Sequence, residues 1–332
     1  MASLKNNIKI LTGTAPAPGA TIGIITPAYP YKEYSDVEQG IAWWESHKFQ
    51  VKLADGALDR TTYTGGLRES AGTPERRAAD LMAMFADPDV HAIQCLRGGD
   101  GASEIIPLID FQVVADNPKP FIGYSNITHL HTAIHRFTGL ATFYGPTLTG
   151  AKSDLTEARL LSVLSGNTTG VFPCNPTDPD LRVVIPGKGS GRLMGGCLSD
   201  LMCTLGTPWE VDLNDAILVI EEIGDSLVAL DCHLSQLNLA GKLETLQGVA
   251  IGDLLDPDDR PWANVEAMEA ILRVRLGHLG VPVVYNLPFG HGEHQATLPL
   301  GVHATLDADA GTLVITEAAL APNPDCANEI QN

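Results

Sequence analysis

Short apolar segments rich in β-branched residues alternate with helix-like segments along the first 150 residues, and glycines gather where the apolar segments end. The strand-like segments are 22–27, 50–53, 92–96 and 121–124, and the helix-like segments are 36–48, 72–86 and 127–137. The second helix has a clear start, because Thr73 can cap it and Pro74 suits the first helical position. Strands alternating with helices in this way are typical of a parallel α/β sheet covered on both faces.

The alternation returns in the second half of the chain. We expect strands over 216–220, 249–252 and 281–285, helices over 198–205 and 265–276, and a closing hairpin formed by 303–307 and 312–317. The stretch between the two halves is rich in Gly, Pro, Asn and Asp, which are residues of turns and linkers. We therefore predict a first domain over residues 1–155, a linker over 156–189 and a second domain over 190–332.

Composition and charge exclude several classes of protein. The chain has 332 residues, of which 44% are hydrophobic and 18% charged, so it is not an intrinsically disordered protein. Its formal net charge of −19 opposes binding to phosphate backbones and to anionic lipid surfaces. No segment approaches the roughly 18 unbroken apolar residues of a membrane-spanning helix. Neither nucleic acid nor a membrane is therefore expected as a partner.

The N-terminal residues and the cysteines indicate the compartment. The first eight residues lack the apolar core of a signal peptide. The six cysteines are scattered along the chain without a CxxC pair. We expect them to be buried thiols in a reducing compartment, forming neither disulfides nor a zinc site. These features predict a cytoplasmic protein.

Ser125 is the first candidate for chemistry, because it lies between a predicted strand and a predicted helix. A serine on such a turn presents its hydroxyl above the sheet, with the amide of Asn126 directed to where an oxyanion would form. The sequence lacks the second glycine of the GxSxG motif, and a serine that only caps the helix also fits. The glycine loop at 97–101 could supply a second oxyanion donor or cradle a phosphate.

Two further candidates lie in the second half. Glu221 and Glu222 follow an apolar strand, where adjacent side chains point to opposite sides, so at most one of them serves a site. His291 lies in a glycine-framed loop, and such loops often carry catalytic groups. A serine, a carboxylate and an imidazole are the components of a catalytic triad. Their spacing in the sequence does not by itself bring them together, and both glutamates could simply be solvated.

Three other sets of residues could hold a metal ion. These are the pair His131 and His135 on one helix face, the pair His291 and His294, and the acidic segment 253–259. The first lacks the glutamate of HExxH, the second lacks a third ligand, and the third does not match an EF-hand loop. We predict neither a metal nor another cofactor.

Considered together, the motifs show a resemblance to a known family. The matching segments are Ile-Ile-Thr-Pro at 24–27, Gly-Thr-Pro-Glu-Arg at 72–76, Arg-Gly-Gly-Asp-Gly-Ala at 97–102, Gly-Tyr-Ser-Asn-Ile-Thr at 123–128, Gly-Gly-Cys-Leu-Ser at 195–199, Leu-Gly-Thr-Pro at 205–208, Ile-Glu-Glu-Ile-Gly at 220–224, Pro-Phe-Gly-His-Gly at 288–292 and Thr-Leu-Pro-Leu-Gly at 297–301. In this set and order the sequence resembles the LD-carboxypeptidase family of serine peptidases, which includes muramoyl-tetrapeptide carboxypeptidases and microcin C self-immunity peptidases.

The resemblance implies a fold and a triad. The implied fold is a Rossmann-like parallel-sheet N-terminal domain that carries the serine and a smaller, β-rich α/β C-terminal domain that carries the other two groups. Ser125 matches the family's nucleophile, His291 its base and Glu221 its acid. Glu222 is the alternative acid if the register differs by one residue.

The resemblance also implies the binding residues. The amides of Gly99 and Asn126 would be the oxyanion donors. The implied substrate-binding residues are Arg97, Gly98, Asp100 and Tyr124. Asn126 stands where the family usually has Asp, and Asp100 where it usually has an aromatic residue, which puts specificity in question more than chemistry.

The function implied is a serine carboxypeptidase that cleaves the LD-amide before the C-terminal D-amino acid of a muropeptide tetrapeptide. Such an enzyme would be a homodimer acting on a small peptide without a metal. One alternative is a microcin C-type immunity peptidase that cleaves an aminoacyl or peptidyl nucleotide, for which Trp209 or Tyr144 would provide an aromatic shelf. The other is a non-catalytic protein that binds cell-wall peptides.

Overall fold

The computed structural model describes residues 9–63, 66, 68–150, 153–173, 180–258, 262 and 264–323. Its α-helices are α1 (Tyr34–Ser46), α2 (Pro74–Ala86), α3 (Ala102–Ile105), α4 (Phe111–Asp116), α5 (Thr128–Thr138), α6 (Asp154–Leu164), α7 (Leu198–Thr204), α8 (Leu227–Leu239) and α9 (Val265–Leu276). Its strands are β1 (Gly13–Thr14), β2 (Thr21–Ile25), β3 (Gln50–Leu53), β4 (Thr61–Tyr63), β5 (Arg68–Ser70), β6 (Ala92–Cys95), β7 (Phe121–Gly123), β8 (Thr142–Tyr144), β9 (Gly170–Val171), β10 (Arg182–Ile185), β11 (Lys188–Cys197), β12 (Ala216–Glu222), β13 (Gly248–Leu254), β14 (Val283–Tyr285), β15 (Leu298–Leu300), β16 (His303–Asp307), β17 (Thr312–Ile315) and β18 (Leu320–Ala321).

The N-terminal half is built on a sheet in the order β15-β8-β7-β6-β2-β3. Strands β3, β2, β6, β7 and β8 run parallel, and β15 from the C-terminal half pairs antiparallel at the edge. The strands between the edges are buried apolar segments, as expected where helices cover both faces. Thr73 caps α2 by accepting a hydrogen bond from the Arg76 amide, as predicted.

The C-terminal half is built on a sheet in the order β10-β14-β13-β12-β11-β16-β17-β9. Its centre, β11 to β14, is parallel, and the strands on either side are antiparallel. Strands β16 and β17 form the predicted hairpin. The two sheets and their helices confirm the α/β class with a parallel-sheet N-terminal half and a β-rich C-terminal half.

The segment 156–189, expected to be a linker, has regular structure over much of its described length. It contains most of α6, and both β9 and β10, which form the two edges of the C-terminal sheet. The turn-rich composition that suggested a linker comes from the loops between these short elements.

The two halves meet closely behind the Ser125 turn. The Thr128 hydroxyl, at the start of α5, accepts a hydrogen bond from the Cys197 amide at 2.9 Å, at the end of β11. Gly196 has φ of +144°, and any side chain there would overlap Thr128. Glycine at 196 therefore lets the C-terminal sheet approach the helix that follows the serine.

The cysteines differ from the expectation that all six are buried. Cys95 and Cys197 are buried free thiols, whereas Cys203 and Cys232 are exposed, on the outer faces of α7 and α8. Cys174 and Cys326 lie outside the described residues. Within the described ranges, the helices are all too short or too polar to span a bilayer.

Candidate active site

Ser125 stands just beyond the carboxyl end of β7, on a short 3₁₀ turn (Ser125–Ile127) that leads into α5. Its φ is +61°, a left-handed conformation that a residue with a side chain adopts only at a cost. This sharp turn lifts the side chain above the sheet edge, as in a nucleophile elbow. The turn is therefore more than a simple helix cap.

His291 and Glu221 form a hydrogen-bonded pair in the C-terminal half. His291 Nδ1 lies 2.7 Å from Oε2 of Glu221, which is completely buried near the end of β12. This contact leaves Nε2 of His291 as the nitrogen available for other partners. The Tyr124 ring packs beside the imidazole, with ring centroids 4.8 Å apart, and so limits its rotation.

Tyr144 connects the serine turn to the same carboxylate. Its hydroxyl donates to Oε1 of Glu221 at 2.5 Å and accepts from the Ser125 amide at 3.0 Å. Burial, and then the charge of Glu221, raise the pKa of Tyr144 well above its ordinary value, so the phenol keeps its proton and remains a donor. One buried hydroxyl thus fixes the carboxylate and the backbone of Ser125 together.

The glycine loop at 97–101 lies against Ser125. A side chain on Gly98 would come within 3.2 Å of the Ser125 hydroxyl oxygen, and one on Gly99, whose φ is +110°, would overlap the ring of Tyr29. Glycine is therefore required for the loop to approach the serine this closely. Buried Arg77 anchors the end of the loop by donating to the Gly101 carbonyl at 2.9 Å.

A cleft of about 440 Å³ opens above these groups. Ser125, His291 and the glycine loop line it, together with Arg97 and Tyr124. Its size suits a small ligand or a short peptide. Asp100, which the sequence also suggested as a binding residue, is exposed at the outer side of the loop and accepts a hydrogen bond from the Tyr29 hydroxyl at 2.8 Å.

The electrostatics of the cleft favour a protonatable histidine. Burial lowers the pKa of His291, but the charge and hydrogen bond of Glu221 raise it by more, so the net pKa lies above the ordinary 6.5. A carboxylate that stabilises the imidazolium in this way makes the histidine a stronger base. The pair can therefore accept a proton from a neighbouring hydroxyl.

Glu222 and Asp253 are two further acids near this pair, and burial raises the pKa of each to about 7. Glu222 points away from His291 and accepts from the Ser199 amide at 2.6 Å. Asp253 accepts from the Gly292 amide at 2.8 Å and thereby holds the loop that carries the imidazole. Of the two adjacent glutamates, the structure therefore brings Glu221 to the histidine.

The metal alternatives do not form a site in the described part of the chain. His131 and His135 are buried and bond to the backbone carbonyls of Gly123 and Leu140, and burial lowers the pKa of each to about 4. His294 bonds to Ser153. In the acidic segment, Asp253 holds Gly292, Asp256 accepts from the Asp258 amide, and Asp259 lies outside the described residues.

One cluster over the described ranges does bring possible metal ligands within 4.8 Å of one another, and it consists of Glu222, Asp225 and His233. Nδ1 of His233 lies 3.2 Å from Oδ2 of Asp225 without the geometry of a hydrogen bond. The Glu222 oxygens already accept from backbone amides and from Ser199, so of these three described residues only Asp225 and His233 have ligand atoms without a hydrogen-bond partner.

Tyr144 and Asp253 are site residues whose positions the sequence analysis did not anticipate. The sequence suggested Tyr144 only as an aromatic shelf and Asp253 only as a calcium ligand. A usable signal existed, because Tyr144 ends the strand next to β7, and Asp253 lies near the end of the strand next to β12. Carboxyl ends of neighbouring parallel strands share one sheet edge, so both residues belong to the edge that carries the site.

Comparison with known proteins identifies the family. The sequence profile of the LD-carboxypeptidase N-terminal domain matches residues 22–145, and that of the C-terminal domain matches residues 190–306. The chain belongs to the LD-carboxypeptidase family. It is therefore a peptidase, as the resemblance of its motifs predicted.

Individual relatives agree with this assignment. The chain is 34% identical to the "probable murein peptide carboxypeptidase" of Bacillus subtilis, over 90% of this chain and 92% of that protein. It is 32% identical to the murein tetrapeptide carboxypeptidase of Pseudomonas aeruginosa, over 73% and 80%. Among solved structures, the muramoyltetrapeptide carboxypeptidase of Oxalobacter formigenes aligns with a TM-score of 0.72 at 26% identity, over 90% and 99%.

A structure of MccF in complex with glutamyl sulfamoyl guanosine aligns with a TM-score of 0.83 at 24% identity, over 94% of this chain and all of that one. At this identity the alignment shows a shared fold. This LD-carboxypeptidase family member therefore has the two-domain α/β architecture of its structural neighbours.

The contacts of Tyr144 predict the effect of removing its hydroxyl. In Tyr144→Phe the Ser125 amide loses its acceptor and Glu221 loses a donor, each worth about 1–3 kcal/mol when left unpaired in a buried site. We expect kcat on a cleavable peptide to fall by about tenfold or more. Steady-state kinetics test this, with the exposed Tyr34→Phe as control. Equal activity of both variants would show that the bridge is dispensable.

The Glu221–His291 pair predicts a pH dependence. A histidine that serves as general base must be unprotonated, so we expect kcat/KM to rise with pH through an apparent pKa above 6.5. Glu221→Gln removes the charge that stabilises the imidazolium, which moves this rise to lower pH while lowering the maximal rate by roughly 10³-fold. The measurement is a pH profile of kcat/KM, with exposed Glu293→Gln as the same-loop control. A rise at unchanged pH in Glu221→Gln would contradict the assignment.

Proposed function

We propose that the protein is a serine carboxypeptidase that uses Ser125 as nucleophile, His291 as general base and Glu221 as the acid that orients the histidine. The observation that carries the proposal is the buried Glu221–His291 hydrogen bond beside a strained serine turn, with Ser125 and His291 lining one cleft. A serine hydroxyl is inert near neutral pH until a base takes its proton, and an oriented imidazole is suited to that task.

In the proposed acylation step, Oγ of Ser125 attacks the carbonyl carbon of the scissile amide while Nε2 of His291 takes the hydroxyl proton. The proposed donors that stabilise the oxyanion are the backbone amides of Gly99 and Asn126. When the C–N bond breaks, the imidazolium returns its proton to the leaving amine. The products of this step are an acyl-serine and the free C-terminal amino acid.

Deacylation reverses these roles. His291 takes a proton from a water molecule, the hydroxide adds to the acyl carbon, and the serine oxygen leaves with the proton held by the imidazolium. Glu221 keeps the ring in one tautomer throughout, because its Oε2 accepts from Nδ1. In the proposed mechanism these side chains and amides supply the whole reaction.

The proposed substrate is a muropeptide tetrapeptide that loses its C-terminal D-amino acid at an LD-amide. Support comes from the relatives named murein peptide and murein tetrapeptide carboxypeptidase. A carboxypeptidase must also bind the terminal carboxylate. Arg97, at the start of the glycine loop, lines the cleft and is the proposed cation for that purpose, with Gly98 and Tyr124 as further proposed binding residues in the cleft. Asp100, on the outer side of the loop, is proposed as a binding residue from the resemblance alone.

A nucleotide-linked substrate of the microcin type receives less support from the cleft. The Tyr144 ring is 1% exposed and its hydroxyl is occupied by Glu221 and Ser125, so it offers no open shelf for a base. Trp209 is partly buried against the apolar core of the N-terminal half. Neither aromatic residue suggested by the sequence is placed to stack with a nucleobase in the cleft.

The triad assignment predicts the effects of single substitutions. Ser125→Ala and His291→Ala should each lower turnover of an LD-tetrapeptide by several orders of magnitude and abolish labelling by a fluorophosphonate probe. His294→Ala is the matched control, because His294 lies three residues away, is exposed and bonds to Ser153. Mass spectrometry of the released amino acid and of the labelled serine provides both readouts.

The same assay separates the rival functions. Ordinary turnover by Ser125→Ala would reject the serine mechanism, and no turnover of any peptide by the unaltered protein would favour a binding protein. Cleavage of an aminoacyl sulfamoyl nucleoside in preference to the tetrapeptide would replace the proposed substrate while leaving the triad in place.

The proposed carboxylate contact makes a separate prediction. Arg97→Gln should raise KM for a tetrapeptide with a free C-terminal carboxylate by about tenfold, with little change in kcat. This factor corresponds to the loss of roughly 1.4 kcal/mol of binding free energy from one charge-assisted hydrogen bond. The control is a substrate with a C-terminal amide, which lacks the negative charge and should be insensitive to the substitution. A rise in KM of the same size for both substrates would place Arg97 elsewhere in recognition.

A further inference from the structure

The side chain of Asn126, next to the serine, forms hydrogen bonds to both halves of the protein. Its Oδ1 accepts from the Ala102 amide at 2.9 Å, three residues after Gly99 of the glycine loop. Its Nδ2 donates to Oδ1 of Asp200 at 2.7 Å, on α7 of the C-terminal half. The side chain is 4% exposed, so both bonds are made out of contact with bulk water.

These two bonds connect the proposed oxyanion donors. The Asn126 amide is one donor, and the loop whose position Ala102 fixes carries the other, at Gly99. The loop also packs directly on Ser125 through Gly98. A shift of the loop relative to the serine turn would therefore separate the two donors, and small misplacements of such groups cost large factors in rate.

The bond to Asp200 requires an uncharged donor at position 126. Asp200 Oδ1 also lies 3.2 Å from Nε2 of buried His129, and its side chain is 13% exposed. A carboxylate at 126 would place two acids at hydrogen-bond distance in a site largely removed from water, where like charges repel strongly. It would retain the acceptor for Ala102 and lose the donor to Asp200.

We propose that Asn126 and Asp200 are a matched pair in which one acid and one amide hold the glycine loop, the serine turn and α7 in register, so that the side chain of Asn126 acts as a positioning residue for the oxyanion site. This inference rests on the proposed serine mechanism and adds a role for a side chain that the mechanism does not use. It also gives a physical meaning to the asparagine in the Gly-Tyr-Ser-Asn segment.

The test is a charge exchange across the pair. Asn126→Asp should lower kcat by about 30-fold with KM nearly unchanged, because it acts on transition-state donors. Asp200→Asn alone should lower kcat less than threefold, since an amide oxygen can still accept from Asn126. The double variant Asn126→Asp with Asp200→Asn again has one acid and one amide, so we expect it to recover most of the lost kcat. In that variant His129 takes its other tautomer, so that its Nε2 accepts a hydrogen bond from the amide group introduced at position 200.

The control for the added charge is Asn238→Asp, because Asn238 is an exposed residue whose oxygen lies beside a ring nitrogen of His278. The melting temperature of every variant is measured first, so that all assays are run at a temperature where each variant is folded. The rate of fluorophosphonate labelling then measures the reactivity of Ser125 independently of peptide binding. A purely structural role would change the melting temperature without the selective fall in kcat.

Two results would overturn the inference: full kcat in Asn126→Asp, or a double variant no better than Asn126→Asp alone. Neither result touches the proposed function, whose own failure appears separately as ordinary turnover in Ser125→Ala. Three results together support both the inference and the proposed function: Asn126→Asp loses kcat, the double variant recovers it, and Ser125→Ala is inactive.

Discussion

The arrangement of the site depends on one fully buried carboxylate. Glu221 has no contact with solvent, and its two oxygens have different partners, the Tyr144 hydroxyl and the His291 imidazole. A buried charge is tolerable only when hydrogen bonds compensate its lost hydration. The contact between the two halves supplies one of those donors, since Tyr144 ends a strand of the first sheet, while His291 belongs to the same half as Glu221. The hydrogen bonding of Glu221 is therefore complete only where the two halves are in contact.

Backbone conformation provides the second constraint, and glycine provides most of it. Ser125 takes a positive φ although it has a side chain, and Tyr144 compensates by accepting from its amide. Gly99 and Gly196 are positions where a side chain would overlap Tyr29 and Thr128 respectively. The first lets the loop pack against Tyr29, and the second lets β11 reach α5. These two glycines contribute by carrying no side chain, which lets neighbouring segments of the protein pack closely against the backbone.

Apolar periodicity and the positions of glycines are local signals, so the sequence predicted the α/β class and the alternation of strands and helices along the chain. The assignment of roles to the candidate site residues came from the resemblance of the motifs to the family. It left the choice between Glu221 and Glu222 open in physical terms, since alternation along a strand says that the two differ and not which faces inward. It missed the bridge by Tyr144 and the anchor by Asp253, because each depends on which strands are neighbours in the sheet. The segment 156–189 reads as a linker in the sequence because its strands are short and turn residues dominate its composition.

The crowding of acids around one imidazole shows how the site assigns its charge. Burial raises the pKa of Glu222 and of Asp253 to about 7, so near neutrality each spends part of its time protonated. Glu221, by contrast, has donors aimed at both its oxygens, from Tyr144 and His291. Asp253 holds the Gly292 amide and Glu222 holds Ser199, so both fix backbone, while the acid that touches the imidazole tunes its basicity. The negative charges of Glu222 and Asp253 also raise the pKa of His291, by less than the charge and hydrogen bond of Glu221 do.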